Sequence, residues 1–322
     1  METSCARRND GGAKLAVTGT AAAAMTPSTS QFVAVRGLSY HVRTWGDAAA
    51  PKLFLLHGWM DVGASFQFLV DALTRDWCVL APDWRGFGQS AWCADGYWFA
   101  DYIADLDALL EYFTPEAPAR IVGHSLGGNV ACIYGGVRPQ RVARLVSLEG
   151  FGIPAEKPEL APDKISKWLD ALRDPPSFAP YPNLAAVADR LQKNNPRMAR
   201  DHAEFLAGHW AEVLPNGSAR LRSDPRHKLP FPTVYRTEEV RAAWQRVTAP
   251  VLWVAASESF VPRWLGEDRA GLEQRIASFP QLLSSFVGDA ALVATLEDVR
   301  ARAGNREDAQ REGKPTPPAR CW

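Results

Sequence analysis

The sequence has no excess of charge of either sign, because 36 Lys and Arg residues balance 36 Asp and Glu residues among 322. Proteins that bind nucleic acid or dock on acidic membranes need a basic excess, which this chain does not have. It also has no apolar run near 18 residues, the length that a membrane-spanning helix requires. We therefore expect neither a nucleic-acid partner nor a membrane partner.

Cysteine is scarce, and its spacing forms no recognisable framework. The five cysteines are scattered and include no CxxC pair: Cys5, Cys78, Cys93, Cys132 and Cys321. This spacing is not typical of a zinc site, a redox dithiol or a secreted disulfide scaffold. We predict reduced thiols in a cytoplasmic protein without a bound metal. Because the glycine pairs lack a GxGxxG context, we also predict no nucleotide cofactor.

Strand and helix patterns alternate along most of the chain. Strands that alternate with helices predict an α/β fold with a mostly parallel sheet covered by helices on both faces. A stretch rich in Pro, Trp and Arg interrupts this rhythm and predicts short helices that form a cap over the active site. The predicted organisation is a disordered tail over 1–30, a first core part over 31–150, the cap over 151–240, a second core part over 241–288, and an atypical segment over 289–322.

The sequence makes two more specific predictions, one for the cap and one for the tail. In the cap, the periodicity predicts three helices, at 165–172, 184–193 and 201–213. In the tail, Met25 is an alternative start of the protein, because residues 1–30 show no helical or strand period.

The strongest local motif is Gly123-His124-Ser125-Leu126-Gly127, which fits the pattern G-x-S-x-G. It follows an apolar strand at 121–122 and precedes a helix over 129–135. A sharp strand-to-helix turn in this context lifts the serine hydroxyl clear of the sheet, and the helix amino end points free N–H groups at developing negative charge. Ser125 is therefore the candidate nucleophile.

Three motifs in this order resemble the α/β-hydrolase superfamily: His57-Gly58-Trp59, the segment DWRGFGQS over 83–90, and the turn around Ser125. The resemblance covers about residues 31–280 and is closest to serine hydrolase-like and haloalkane-dehalogenase-like members with a cap domain. It implies an α/β-hydrolase fold and a small-molecule substrate. Because the nucleophile position holds serine instead of aspartate, the resemblance favours an ester, thioester, lactone or amide carbonyl over a haloalkane.

The resemblance also implies roles for single residues. Ser125 is the nucleophile, and the backbone N–H groups of Trp59 and Leu126 form the oxyanion hole. The acid has two candidates, each just after a strand: Glu149, which we favour because its surroundings match more closely, and Glu258. Four further residues are expected to hold the loops together without acting on substrate: His57, His124, Asp83 and Arg85.

The base of a catalytic triad has no counterpart at the expected place. In the superfamily the histidine follows the last strand, after the nucleophile and the acid, but no histidine here lies beyond His227. Three explanations are open. A cap histidine (His202, His209 or His227) replaces it; the protein is a natural non-catalytic binding protein; or the C-terminus is altered by a frameshift. We favour the last, because the resemblance fades after Pro280 and residues 301–322 are polar and rich in Arg and Pro.

Overall fold

A computed structural model describes residues 25–256, 259, 261–266 and 269–284. Its strands alternate with helices, as the sequence predicts. The strands are β1 (Ser28–Val35), β2 (Leu38–Trp45), β3 (Lys52–Leu56), β4 (Cys78–Pro82), β5 (Ala119–His124), β6 (Val142–Leu148), β7 (Ala211–Val213), β8 (Ala219–Leu221), β9 (Val251–Val254) and β10 (Leu282–Ser284).

Nine α-helices lie within the described residues, together with short 3-10 turns. The helices are α1 (Gln67–Asp71), α2 (Phe99–Phe113), α3 (Leu126–Val137), α4 (Ala161–Arg173), α5 (Leu184–Asn194), α6 (Arg200–Trp210), α7 (Thr237–Trp244), α8 (Val261–Leu265) and α9 (Arg269–Ile276).

Eight strands form the central sheet, in the order β1-β2-β4-β3-β5-β6-β9-β10. The pairs β1–β2 and β2–β4 are antiparallel, and every other neighbouring pair is parallel. The predicted mostly parallel sheet is therefore confirmed. Because parallel strands end at the same edge, the segments after β3, β4, β5, β6 and β9 all start at that edge, which is where ligands of such sheets bind.

Both faces of the sheet are covered, and alternate residues of β3 show how. Phe54 and Leu56 pack into the core cluster that includes α2 and α3, whereas Leu53 and Leu55 pack on the opposite face against Phe66 and its neighbours. Successive side chains of a strand point to opposite faces, so a strand buried on both sides reads as a continuous apolar run.

The residues between β6 and α7 contain helices α4, α5 and α6 and the small two-stranded sheet of β7 and β8; we call this region the cap. Helices α5 and α6 pack on each other around their own apolar cluster. Helix α4, by contrast, has no buried residue. The cap boundary predicted at residue 240 falls inside α7, a helix that packs against α3 of the core.

The prediction of one helix over 201–213 was wrong at its end, because Ala211–Val213 leave α6 and form β7. This strand pairs with β8 in antiparallel register. The connecting turn contains Asn216-Gly217, and Gly217 has a left-handed φ of 83°. Asn-Gly between two short apolar stretches is a strong hairpin signal, and it was available in the sequence.

The predicted tail over 1–30 extends too far. Ser28–Ser30 already belong to β1 and pair with Arg43–Trp45 of β2. These residues are polar and show no strand alternation, so their sequence does not predict a strand. The strand forms because its hydrogen bonds to β2 come from the backbone. The atypical segment predicted over 289–322 lies outside the described residues. Within the described part of the chain, no helix has the length and apolar character needed to cross a membrane.

Candidate active site

Ser125 occupies a sharp turn between the end of β5 and the start of α3. Its backbone angles are φ 49° and ψ −110°, a left-handed conformation that a non-glycine residue rarely adopts. Its N–H donates to the carbonyl of Leu148 on the neighbouring strand at 2.8 Å, and its carbonyl accepts from Asn129 N–H at 2.9 Å. Strain of this kind persists where the surrounding structure imposes it, and it concentrates at functional sites.

The two glycines of the motif are there because the backbones come very close. A Cβ on Gly127 would overlap the carbonyl of Leu56 in β3, and a Cβ on Gly123 would overlap the backbone of Gly127 itself. The helix α3 can therefore start directly against β3 and β5. This close approach holds Ser125 at the sheet edge, in the strand-turn-helix context that the sequence predicts.

The candidate acid Glu149 lies next to Ser125, at the end of the adjacent parallel strand. The register pairs His124 with Leu148, so the nucleophile and the acid each follow a paired position. Glu149 also has a left-handed φ of 58°. Its carboxylate oxygens accept hydrogen bonds from the N–H of Ala256 and from the hydroxyl of Ser259. The alternative acid, Glu258, lies outside the described residues.

The segment after β3 reaches the same edge. Gly58 packs against the side chains of His124 and Ser125, and a Cβ there would lie 3.4 Å from Cβ of Ser125. Trp59 follows, with its side chain half exposed, and Met60 has a left-handed φ of 58°. Leu126 is the first residue of α3; its N–H is therefore one of those that an α-helix leaves without an intrahelical acceptor.

His57 is fully engaged in holding loops together. Its Nδ1 lies 2.7 Å from the carbonyl of Gly58, and its Nε2 accepts from the N–H of Trp84 at 2.8 Å. Burial lowers the pKa of His57, which keeps the ring neutral and suited to accept at Nε2. Neither ring nitrogen is left to act as a base on Ser125.

Asp83 organises the loop that follows β4. It accepts from the N–H of Gly63 at 2.7 Å and of Gln89 at 2.9 Å, and it contacts Nδ1 of His41 at 2.7 Å. Burial by itself would raise the pKa of Asp83, but the hydrogen bonds and charges of its neighbours, with His41 foremost among them, together outweigh burial and lower it. These contacts confirm the expected role in tying the loop.

Arg85 fills the same structural role through a buried ion pair. Its Nε and Nη2 donate to the carboxylate of Asp105 at 2.5 and 2.6 Å, and Arg36 adds a third donor at 3.0 Å. Tyr40 also donates to Asp105 from its hydroxyl. Arg85 therefore anchors the loop to α2.

Two of the cap histidines are held against the core by α6. His202 stacks on Phe68, with ring centroids 3.6 Å apart. His209 accepts through Nδ1 from Nη2 of Arg43 at 3.1 Å, and burial lowers its pKa to about 4. These contacts engage both rings in cap–core packing.

His227 is the third cap histidine, and it is buried between two aromatic rings. The centroids of Phe87 and Tyr97 lie 3.8 and 3.6 Å from that of His227, and the hydroxyl of Tyr102 lies 3.2 Å from Nδ1. Burial lowers the pKa of His227 to about 3. All six histidines lie within the described residues, and the structure gives none of them a hydrogen bond to the Ser125 hydroxyl.

A family model for the alpha/beta hydrolase fold matches residues 51–299. The chain belongs to this family. The match extends past Pro280, where we expected the resemblance to fade. Several similar proteins with assigned names are hydrolases by name.

Three relatives illustrate this. A serine hydrolase-like protein of Danio rerio is 35% identical over 178 residues, which are 51% of this chain and 52% of the relative. One of Dictyostelium discoideum is 26% identical over 69% of this chain and 65% of the relative. The 3-hydroxybutyrate-oligomer hydrolase of Cupriavidus necator is 32% identical over 69% of this chain and 77% of the relative. The α/β hydrolase described here thus spans between half and two thirds of the two serine hydrolase-like proteins.

Solved structures agree on the fold. The thioesterase domain from the curacin biosynthetic pathway superposes with a TM-score of 0.74 at 21% identity, covering 85% of this chain and 99% of that one. An E-2-(acetamidomethylene)succinate hydrolase superposes with a TM-score of 0.65 at 20% identity, covering 86% and 98%. At these identities the likeness shows the α/β-hydrolase fold alone.

Sequence reasoning missed two residues of this α/β hydrolase that contact the site's loops. Ser259 bonds to the carboxylate of Glu149 and so joins segments that follow different strands, a contact that no local sequence pattern predicts. Asp61 was not singled out. It lies two residues after Trp59 and binds Trp210 of the cap, a contact between residues 149 positions apart.

Proposed function

We propose that this protein is a hydrolase of a small-molecule carbonyl ester, or of a related thioester, lactone or amide, that acts in the cytoplasm. Ser125 is the nucleophile: its Oγ bonds to the carbonyl carbon as the hydroxyl proton passes to solvent water. The tetrahedral intermediate then breaks its bond to the leaving group, which departs as an alcohol, thiol or amine and leaves an acyl-enzyme. The backbone N–H groups of Trp59 and Leu126 donate to the oxyanion. Glu149 is the acid. Water then hydrolyses the acyl-enzyme and frees the serine.

One observation carries this proposal: Ser125 holds a left-handed backbone at a strand-to-helix turn, directly beside Glu149 at the end of the adjacent strand. The strain exposes the hydroxyl, and α3 directs its first N–H groups to the same place. Relatives named as hydrolases agree with the reaction class.

A second candidate function rests on the histidines. All six histidines lie within the described residues. Their contacts pack against neighbouring rings or hydrogen-bond to loop residues, and the structure gives none of them a bond to the Ser125 hydroxyl. Removing one member of a Ser-His-Asp triad leaves a small fraction of the activity, since the base is needed to take the serine proton. A non-catalytic small-molecule binding protein on the same fold is therefore the alternative.

Labelling with a fluorophosphonate probe distinguishes the two functions. We expect wild-type protein to be labelled and Ser125→Ala to be unlabelled, because the probe reacts with an activated serine hydroxyl. Ser166→Ala is the matched control, because Ser166 is an exposed serine of α4 and its removal should leave labelling intact. Absence of labelling in folded wild-type protein would support the binding protein.

Added imidazole tests whether the base is what limits turnover. If Ser125, Glu149 and the oxyanion hole are in place, imidazole should accelerate the hydrolysis of a p-nitrophenyl ester by wild-type protein. It should accelerate hydrolysis by Ser125→Ala less. An equal imidazole effect on both proteins would contradict this.

Reading the gene in all three frames beyond codon 280 tests the frameshift: a Gly-His segment in another frame supports it, and none in any frame excludes it.

A further inference from the structure

A cleft of about 460 Å³ lies between the core segment that follows Trp59 and the cap helices α5 and α6. Its volume falls in the range of small-molecule sites. Neither Ser125 nor Glu149 lines it, so it is separate from the nucleophile turn. Its walls come from the core residues Asp61, Ser65 and Phe68, and from Leu191, Met198, His202, Leu206 and Trp210 of the cap.

The apolar part of the lining is aromatic on one side and aliphatic on the other. Phe68 and His202 stack face to face with ring centroids 3.6 Å apart at an angle of 16°, and both residues line the cleft. Leu191 and Leu206 are buried at the base, and the flexible thioether of Met198 lies beside them. Such a lining accepts a flat apolar body, and thioethers adapt well to aromatic rings.

The polar part of the lining is centred on Asp61. Three donors converge on its Oδ1: the N–H of Val62 at 2.8 Å, the hydroxyl of Ser65, and Nε1 of Trp210 at 3.2 Å. The structure assigns no partner to its Oδ2 among the described residues. An ionised carboxylate has about four acceptor sites over its two oxygens, so Oδ2 is available to a hydrogen-bond donor within the cleft.

The carboxylate of Asp61 and the aromatic rings of the cleft both favour a positively charged donor. A carboxylate oxygen beside aromatic faces attracts a cation, through a charge-assisted hydrogen bond and through the ring quadrupole. The lining also contains Arg197, which is itself engaged in another interaction. We propose that the cleft binds a small aromatic molecule that carries a protonated amine, with the ammonium on Oδ2 of Asp61 and the ring against Phe68 and Met198. The site is distinct from the proposed hydrolytic centre.

Three probes with the same ring test the proposal: 2-phenylethylamine, 2-phenylethanol and phenylacetate, which carry a cation, a neutral donor and an anion. Binding to the full chain is measured at pH 7.5 by ligand-observed NMR and by calorimetry. We expect the amine to bind about tenfold or more tightly than the alcohol, from the typical strength of a charge-assisted bond, and phenylacetate to bind most weakly. Equal binding of the three, or no binding of the amine at about 20 mM, overturns the proposal.

Asp61→Asn is the decisive variant, because its side chain keeps the oxygen that accepts from Val62, Ser65 and Trp210 and replaces Oδ2 with an NH₂ donor. We expect this variant to lose the preference for the amine and to favour phenylacetate. Asp163→Asn, an exposed carboxylate of α4 outside the cleft, makes the same change of net charge and should keep the wild-type order of affinities. If both variants behave alike, the preference is a general charge effect and the proposed site is wrong.

Two further variants locate the ring and separate this site from the hydrolytic one. Phe68→Leu keeps an apolar wall without a ring face and should weaken amine binding by about two- to fivefold. Ser125→Ala should leave amine binding unchanged, whether or not Ser125 is a nucleophile. Loss of amine binding in Ser125→Ala would place the probe at the nucleophile turn and contradict a separate site.

Discussion

His227 should make the protein lose stability as the pH falls below neutral. The side chain is 8% exposed and stacked between Phe87 and Tyr97, and burial lowers its folded-state pKa to about 3, whereas an unfolded histidine has a pKa near 6.5. Below pH 6.5 the unfolded chain therefore binds a proton that the folded protein does not. The free energy of unfolding falls by about 1.4 kcal/mol per pH unit from this residue alone, until the pH reaches the folded-state value.

The variant His227→Phe isolates this contribution. A phenyl ring can keep the stacking on Phe87 and Tyr97 but cannot take up a proton. At pH 5 the histidine should cost the wild type about 2 kcal/mol relative to pH 8, from the difference between the two pKa values. The stability of the variant relative to wild type should therefore rise by about 2 kcal/mol between pH 8 and pH 5, even if the variant is less stable at both.

The measurement is urea unfolding, followed by tryptophan fluorescence and circular dichroism at several pH values, provided that the two transitions coincide. Groups that take up protons equally in both proteins cancel in the difference. A difference between variant and wild type that does not change with pH would show that His227 is not held neutral by burial. The reasoning from its stacked environment would then be wrong.

Three other substitutions, two of them paired with a control substitution, test separate parts of the fold by thermal or urea unfolding. Gly127→Ala should destabilise strongly or prevent folding, because its Cβ would overlap the carbonyl of Leu56, whereas Gly208→Ala in α6, where a Cβ meets nothing within 4 Å, should stabilise by up to about 1 kcal/mol. Asp105→Ala should cost about 3–5 kcal/mol, because it removes the closest acceptors of the buried, charged Arg85 and leaves it only the partly exposed Asp101; Glu111→Ala on the exposed face of the same helix should change stability by less than about 1 kcal/mol. Asn183→Ala should cost about 1 kcal/mol, because the Asn183 side chain accepts the N–H of Ala186 at the start of α5.

The turn around Ser125 was predictable from the sequence because its causes are local. Two glycines, a serine and an apolar strand lie within eight residues, and the steric need for Gly123 and Gly127 follows from the tightness of the turn itself. Strands buried on both faces, such as β3, also read clearly, since their apolar runs are continuous.

Features that join distant segments were not predictable in the same way. The bond from Ser259 to Glu149 depends on β6 and β9 being neighbours, and the bond from Trp210 to Asp61 depends on how the cap sits on the core. In neither pair does the sequence around one residue predict contact with the other. The strand β7 was missed for a different reason: Ala211–Val213 continue the apolar spacing of α6, and the turn signal at Asn216-Gly217 follows several residues later.

The cap is not anchored evenly, and its local stability should differ from one helix to the next. Helices α5 and α6 share a buried cluster, and α6 binds Arg43 and Asp61 of the core, whereas α4 has no buried residue and meets the core side chain Trp98 through Trp168. Because the free energy of local opening grows with the contacts that opening breaks, amide hydrogens of α4 should exchange faster than those of α5 and α6. Sequence changes in α4 should therefore be tolerated with little loss of global stability, which makes this helix the part of the cap most free to vary.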